Sequence, residues 1–281
     1  MRAFLPFSLL SVTALALCLV SCGGAGGPGK LEPGTPGFAW ANAQEAVKRG
    51  SFAEASDQLD KITGKDSEFR DRAEVLQIVL ATGLARGEME WADVWDEGSK
   101  SARTRHLEFL KTGASLRHTV HQMVMRSAEI THKRLKDLQA TDLALPVTLP
   151  TLISDIPVEA ERVKKGVALQ PAEQALALQH MQQRGVVNSF AEFTGAGKDN
   201  AKARDLLSKG DFKMSKDVFL LAVARQYTEL TDIYGPKKLD QSGQVTLLCD
   251  EANAALARAA DSADVKAQQK KIAAIRAKIK K

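Results

Sequence analysis

Disulfides cannot hold this protein together. Of its 3 cysteines, Cys18 and Cys22 sit near the N-terminus and Cys249 stands alone. With the N-terminal segment set aside no intramolecular pair remains, so the fold must rest on its core, and the chain is long enough to build one. Val245-Thr246-Leu247-Leu248-Cys249 reads as an apolar run in which the thiol is a small buried hydrophobe. Aromatic residues are scarce, at 5%. β-branched runs with a period of two are nearly absent too, which argues against a sheet protein. The body also lacks an excess of charge. The formal net charge of +5 traces to Arg2 and to the basic residues of 265–281, which hold no acid. The near-neutral remainder gives no electrostatic case for nucleic acid.

What is present begins with an address. Residues 1–21 carry one charge, Arg2, then a mostly apolar run from Phe4 to Val20, then small Ser21. This is the layout of an export signal that is removed. Leu19-Val20-Ser21-Cys22 resembles the lipobox of bacterial lipoproteins: a branched apolar residue, a tolerated residue, a small residue and a cysteine. The resemblance implies diacylation of the Cys22 thiol, cleavage before it and acylation of the new amino group. Gly23 is not the aspartate that the enterobacterial rule associates with inner-membrane retention. The implied location is therefore the cell envelope, with an outer membrane facing the periplasm favoured over the inner one. Residues 22–37 are rich in glycine and proline and form a flexible linker with a root-mean-square reach of about 20–24 Å.

From Phe38 onward helical periodicity dominates, so the expected class is all-α. Helices are expected at 38–49, 52–63, 67–86, 88–111, 115–140, 157–166, 171–184, 186–194, 198–209, 211–234, 242–260 and 264–280. Glycines at 50, 87, 113, 185, 210 and 235 mark the stops. A pattern recurs at them. Gly50-x-Phe52-x-x-Ala55 returns thirty-seven residues later as Gly87-x-Met89-x-Trp91-Ala92, and again as Gly210-x-Phe212-x-x-Ser215. The spacing resembles the turn and second helix of the tetratricopeptide repeat. There the glycine makes the tight turn, the large residue plugs the helix pair and the small residue lets the helices approach. The resemblance implies a helical-hairpin repeat array, with an α-solenoid as one form of it. Its regions are an N-terminal helical part at 38–141, a proline-rich connector at 142–157, a C-terminal helical part at 158–263 and a basic amphipathic helix at 264–281. Pro146, Pro150 and Pro157 forbid a helix in the connector. Alternating apolar residues there suit an extended strap over the helices, with a partner-docking segment or lid as the alternative.

Catalytic and metal signals are incomplete. Glu129-x-x-His132 is half of a di-iron carboxylate pattern, and no second Glu-x-x-His exists. His118 and His121 share that helix with Arg117, Arg126, Lys133 and Arg134, which would repel a cation. Gly195-Ala196-Gly197-Lys198 has Glu192 and Asp199 where a phosphate loop needs glycine and a hydroxyl residue. No catalytic residue, cofactor or metal is expected. The expected function is that of a lipid-anchored envelope scaffold that engages an unidentified protein partner through a helical repeat surface. Lipobox, linker and immediate repeat together resemble the outer-membrane assembly lipoproteins of the β-barrel insertion machinery. A role in that machinery is one alternative, and a metal-handling or enzymatic bundle is another. The tail places Ile272, Ile275 and Ile279 on one face. It reads as a cap on the last hairpin or as a second contact with an anionic membrane.

Overall fold

Between Glu74 and Arg86 lie eleven residues without a charge, Val75 to Ala85. An apolar stripe covers one face of a helix; this stretch covers every face, so its helix must be surrounded. In the computed structural model, which describes residues 32–150 and 155–279, all eleven are buried. They form the middle of α3 (Arg70–Ser99), a helix of 30 residues and so about 45 Å long.

The other helices gather around it. α1 (Pro36–Lys48) starts on Thr35, whose hydroxyl accepts from Phe38 N at 3.3 Å. A turn at Gly50, with φ +75°, leads into α2 (Phe52–Asp60), which packs on α1 and α3. After α3, the 32-residue α4 (His106–Asp137) returns along it. β1 (Asp142–Ala144) follows, then α5 (Val158–Lys164) and the 23-residue α6 (Pro171–Phe193), which crosses α3. Pro171 at the first turn and the reciprocal bonds of Gln170 and Glu173 set the start of α6. α7 (Asn200–Leu207) leads to β2 (Lys213–Ser215), antiparallel to β1 with Leu143 opposite Met214. α8 (Lys216–Leu230) runs into a 3₁₀ turn at 231–234; α9 (Ser242–Leu256) and α10 (Ala263–Ile279) complete the chain. Among the described residues the body is thus mostly helical, with ten helices and two short strands.

The connector is an extended strap over its described length. Leu143, Leu145, Val147 and Leu149 alternate inward and are buried, at about 1.5–3 kcal/mol each. Pro146 cannot donate, but its carbonyl accepts from Gln44 Nε2 on α1. Residues 151–154 lie outside the described residues.

Gly87 corrects the sequence reading. It lies inside α3 rather than in a turn, and the expected helices 67–86 and 88–111 are replaced by one helix ending at Ser99. Gly113 and Gly185 likewise lie inside α4 and α6. Gly87 and Gly185 are there because two backbones meet. A Cβ on Gly87 would sit 2.1 Å from the Met181 carbonyl oxygen, and one on Gly185 would sit 2.2 Å from that of Gly83. Around this seam Ser189 Oγ donates to the Val79 carbonyl at 2.8 Å, and Gln182 Nε2 donates to Glu88 at 2.6 Å. Glu88 is buried with no ion-pair partner among the described residues, and burial pushes its carboxyl above the usual range against the Gln182 bond.

Two cores result. The larger surrounds α1, α2, the first half of α3, the strap, α8 and α9. The smaller lies at the other end of α3, where Trp91, Trp95, Phe109, Val163 and Met181 meet. Trp95 and Phe109 are edge to face at 4.8 Å.

Candidate functional site

Of the expected packing residues, the first set behaves as its spacing requires. Gly50 makes the turn; Phe52 and Ala55 are buried between α1, α2 and α3. In the second set, Ala92 is buried where Gly113 of α4 comes close to its carbonyl, and Met89 is half-buried on α3, so both serve crossings of a continuous helix. The third set is shifted. Gly210 has φ +71° and turns the chain, but Phe212 precedes β2 and is only half-buried. Ser215 is exposed and caps α8, its hydroxyl accepting from Val218 N at 3.4 Å, so it is no close-packing residue. The expected helix at 211–234 loses its first turn to β2, which pairs with the strap. The lipidation residue Cys22 and the whole of 1–31 lie outside the described residues.

The histidines have other partners. His121 Nδ1 and the Tyr234 hydroxyl share a hydrogen bond at 2.9 Å, and His132 Nδ1 faces Glu251 at 2.9 Å. Glu129 pairs with Lys133 at 2.7 Å, so the Glu-x-x-His pair diverges. Cys249 is buried, and burial pushes its thiol up, opposed by the nearby Arg276 guanidinium.

A roomy concavity lies elsewhere, where α8 gives way to its 3₁₀ turn. Gly235 and Pro236 end the helical path, and the chain loops to α9 through Asp240, which takes φ +50°. α10 then lies back over α8 and α9. Val265 and Ile272 are buried there, and Gln268 Nε2 donates to Thr228 Oγ1 at 2.6 Å. Beyond Ile272 the last turns of α10 border a cleft of about 730 Å³ whose apolar lining is Tyr234, Pro236, Val245, Ile275 and Ile279. Its charged lining is Glu229, Asp232, Asp240, Lys271 and Lys278. Glu229 pairs with Arg86 at 3.1 Å, and Asp232 with Lys238 at 2.6 Å. Lys238 also reaches Asp93 at 2.8 Å, and Arg117 holds Asp93 and Asp96, so this loop is tied to α3 and α4. Burial works against the Lys238 ammonium, but bonds to Asp232 and Asp93 outweigh it and raise its pKa. Burial also raises that of the Tyr234 hydroxyl.

No protein-family model, curated protein or solved structure matches this chain. Its geometry must therefore speak for itself. Sequence reasoning passed over the cleft because its residues come from three separate segments. One local signal was legible: Lys271 and Lys278 are seven apart, hence on one helical face, with Ile275 between them.

Proposed function

We propose that this chain is a lipid-anchored protein of the cell envelope, tethered through Cys22 on an outer membrane facing the periplasm, whose helical body docks a protein partner without catalysis. The observation that carries the docking is where apolar side chains stay in water. Leu107, Leu110, Ile156, Val158, Val167 and Leu176 are exposed, up to 76% for Val158. All six come from the start of α4, the start of α5 with the segments that flank it, and the start of α6, which build the smaller core. Elsewhere the exposed large apolar side chains among the described residues are Leu206 and Leu247. Single exposed leucines are ordinary, but a group drawn from one end marks an interaction surface. The tetratricopeptide-like geometry is kept in this proposal for the α1–α2 hairpin, which stiffens the opposite end. Among the described residues no helix is long and apolar enough to cross a membrane, so membrane attachment is assigned to the lipidated cysteine.

A photo-crosslinking residue at Leu107, Val158 or Leu176 of the full chain is expected to give one discrete protein adduct in membranes. The same residue at Leu247 is expected to give none, and the pair Leu107→Asp with Val158→Asp is expected to abolish the adduct without lowering the melting temperature. A palmitate analogue is expected to label the wild type and not Cys22→Ala. Equal adducts at Leu247 overturn the docking surface; a wild type that never labels overturns the anchor.

A further inference from the structure

The apolar stripe of α10 both packs on the body and lines a cleft. Val265 and Ile272 are buried against the body, whereas Ile275 and Ile279, on the same face, are half-buried, packed on the larger core on one side and open to the cleft on the other. With Tyr234, Pro236 and Val245 they give the cleft its apolar lining. At about 730 Å³ the space falls within the roughly 300–1,000 Å³ of small-molecule sites.

The charges at its mouth say what kind of molecule. Glu229 and Asp232 are neutralised from outside the cleft by Arg86 and Lys238. That leaves Lys271, Lys278 and Asp240 as the lining charges with no ion-pair partner among the described residues, an excess of one positive charge. The 15-residue α9 also begins here, with Ser242 in the lining. Its N-cap residue Gln241 makes no side-chain cap and its first turn holds no acid, so its first amides lack a capping side chain, with Asp240 the one acid just before them. An apolar floor, a positive rim and an open helix N-terminus require an apolar tail and a single negative head.

We propose that the cleft between the 3₁₀ turn after α8, the start of α9 and the end of α10 binds a long-chain fatty acid. Its carboxylate is held by Lys271, Lys278 and the first amides of α9, and its chain lies along Tyr234, Val245, Ile275 and Ile279. This site is distinct from the surface at the smaller core and from the anchor at Cys22.

The test uses the full-length chain in phosphatidylcholine nanodiscs and a palmitate analogue with a photoreactive diazirine in its tail. Adducts mapped by mass spectrometry are expected within 228–245 and 271–279. Excess palmitate is expected to compete, and the uncharged hexadecanol is not. Lys271→Ala with Lys278→Ala is expected to cut labelling at least about tenfold, since both charge-assisted lysine contacts are lost and one alone is worth about that much. Both lysines are exposed and have no ion-pair partner among the described residues, so the melting temperature should hold. Ile275→Gln is expected to cut labelling while leaving those lysines in place. Adducts spread over the chain, competition by hexadecanol equal to that by palmitate, or a lysine double variant that labels like the wild type would each overturn the proposal. So would labelling seen only with a phosphate-headed analogue.

Discussion

Replacing Gly185 by alanine adds one methyl group where there is no room for it. The new Cβ would stand 2.2 Å from the Gly83 carbonyl oxygen, 2.5 Å from Gly87 N and 2.8 Å from Gly87 Cα. All three neighbours are backbone, so no side chain can rotate away. To reach ordinary carbon contact the two helices must part by roughly 1 Å. Overpacking of this kind costs about 1–3 kcal/mol. Parting the seam also loosens the bond from Gln182 to Glu88 and that from Ser189 to Val79; losing either would cost roughly 1–3 kcal/mol, since the partner left behind is buried. Against this, alanine gains about 1 kcal/mol over glycine in a helix interior. The net is a loss of about 2–3 kcal/mol. For a body of this size that lowers the melting temperature by about 5–10 °C. The assay is thermal unfolding followed by far-ultraviolet circular dichroism. Gly243→Ala is the control: it sits in the first turn of α9, exposed, with nothing within 4 Å of a new Cβ. It should melt at or above the wild type. If Gly185→Ala melts with the control, α3 and α6 do not meet on their glycines and the seam is wrongly drawn.

Other substitutions probe other parts. Ala55→Arg forces a charge into a fully buried site between α1, α2 and α3 and should cost several kcal/mol, read as a fall in urea midpoint. Glu88→Gln tests the buried carboxyl. Its folded pKa is raised above the usual 4.5 by burial, so the stability it contributes is present below pH 4.5 and is lost as pH rises through the folded value. The variant should therefore melt above the wild type at pH 7, and the gap should shrink as the pH falls toward 4.5; a constant gap across that range refutes the assignment. Deleting 263–279 removes the buried Val265 and Ile272 and the Gln268 bonds to α8, so the melting temperature should fall. An unchanged melt would mean that α10 rests on the body without stabilising it.

The helical class was open to reading because apolar residues recur with a period near 3.6 from Phe38 onward. The starts of α2, α5, α9 and α10 lie within a residue of those expected, but α2 ends at Asp60 rather than 63 and α9 at Leu256 rather than 260, where no glycine or proline marks the stop. Gly87, Gly113 and Gly185 were misread for a physical reason. A glycine relieves a backbone that must turn, and equally one that must touch another backbone; local sequence does not separate the two. A separating signal did exist at Gly87. Eleven uncharged residues before it demand burial on every side, and Gly83 one turn earlier makes a second close-approach position on the same face. The register of the third repeat failed at Ser215 because β2 pairs with a strap some seventy residues away, a contact with no local trace. The cleft was invisible for the same reason. Its apolar floor joins the 3₁₀ turn, α9 and α10, and only α10 announced its share.

The burial of α3 on all sides governs how this protein can come apart. In a stacked array each unit touches only its neighbours, so units can fray, be deleted or be added one at a time. Here α2, α4, α5, α6 and α8 all rest on one rod. Removing any of them bares apolar surface on the helix that the others need. Amide protons in the middle of α3 should therefore exchange only when the whole body opens, while those at the start of α5 exchange through local opening. The end that carries α5 can loosen without the rest, and the rod cannot be shortened by a repeat.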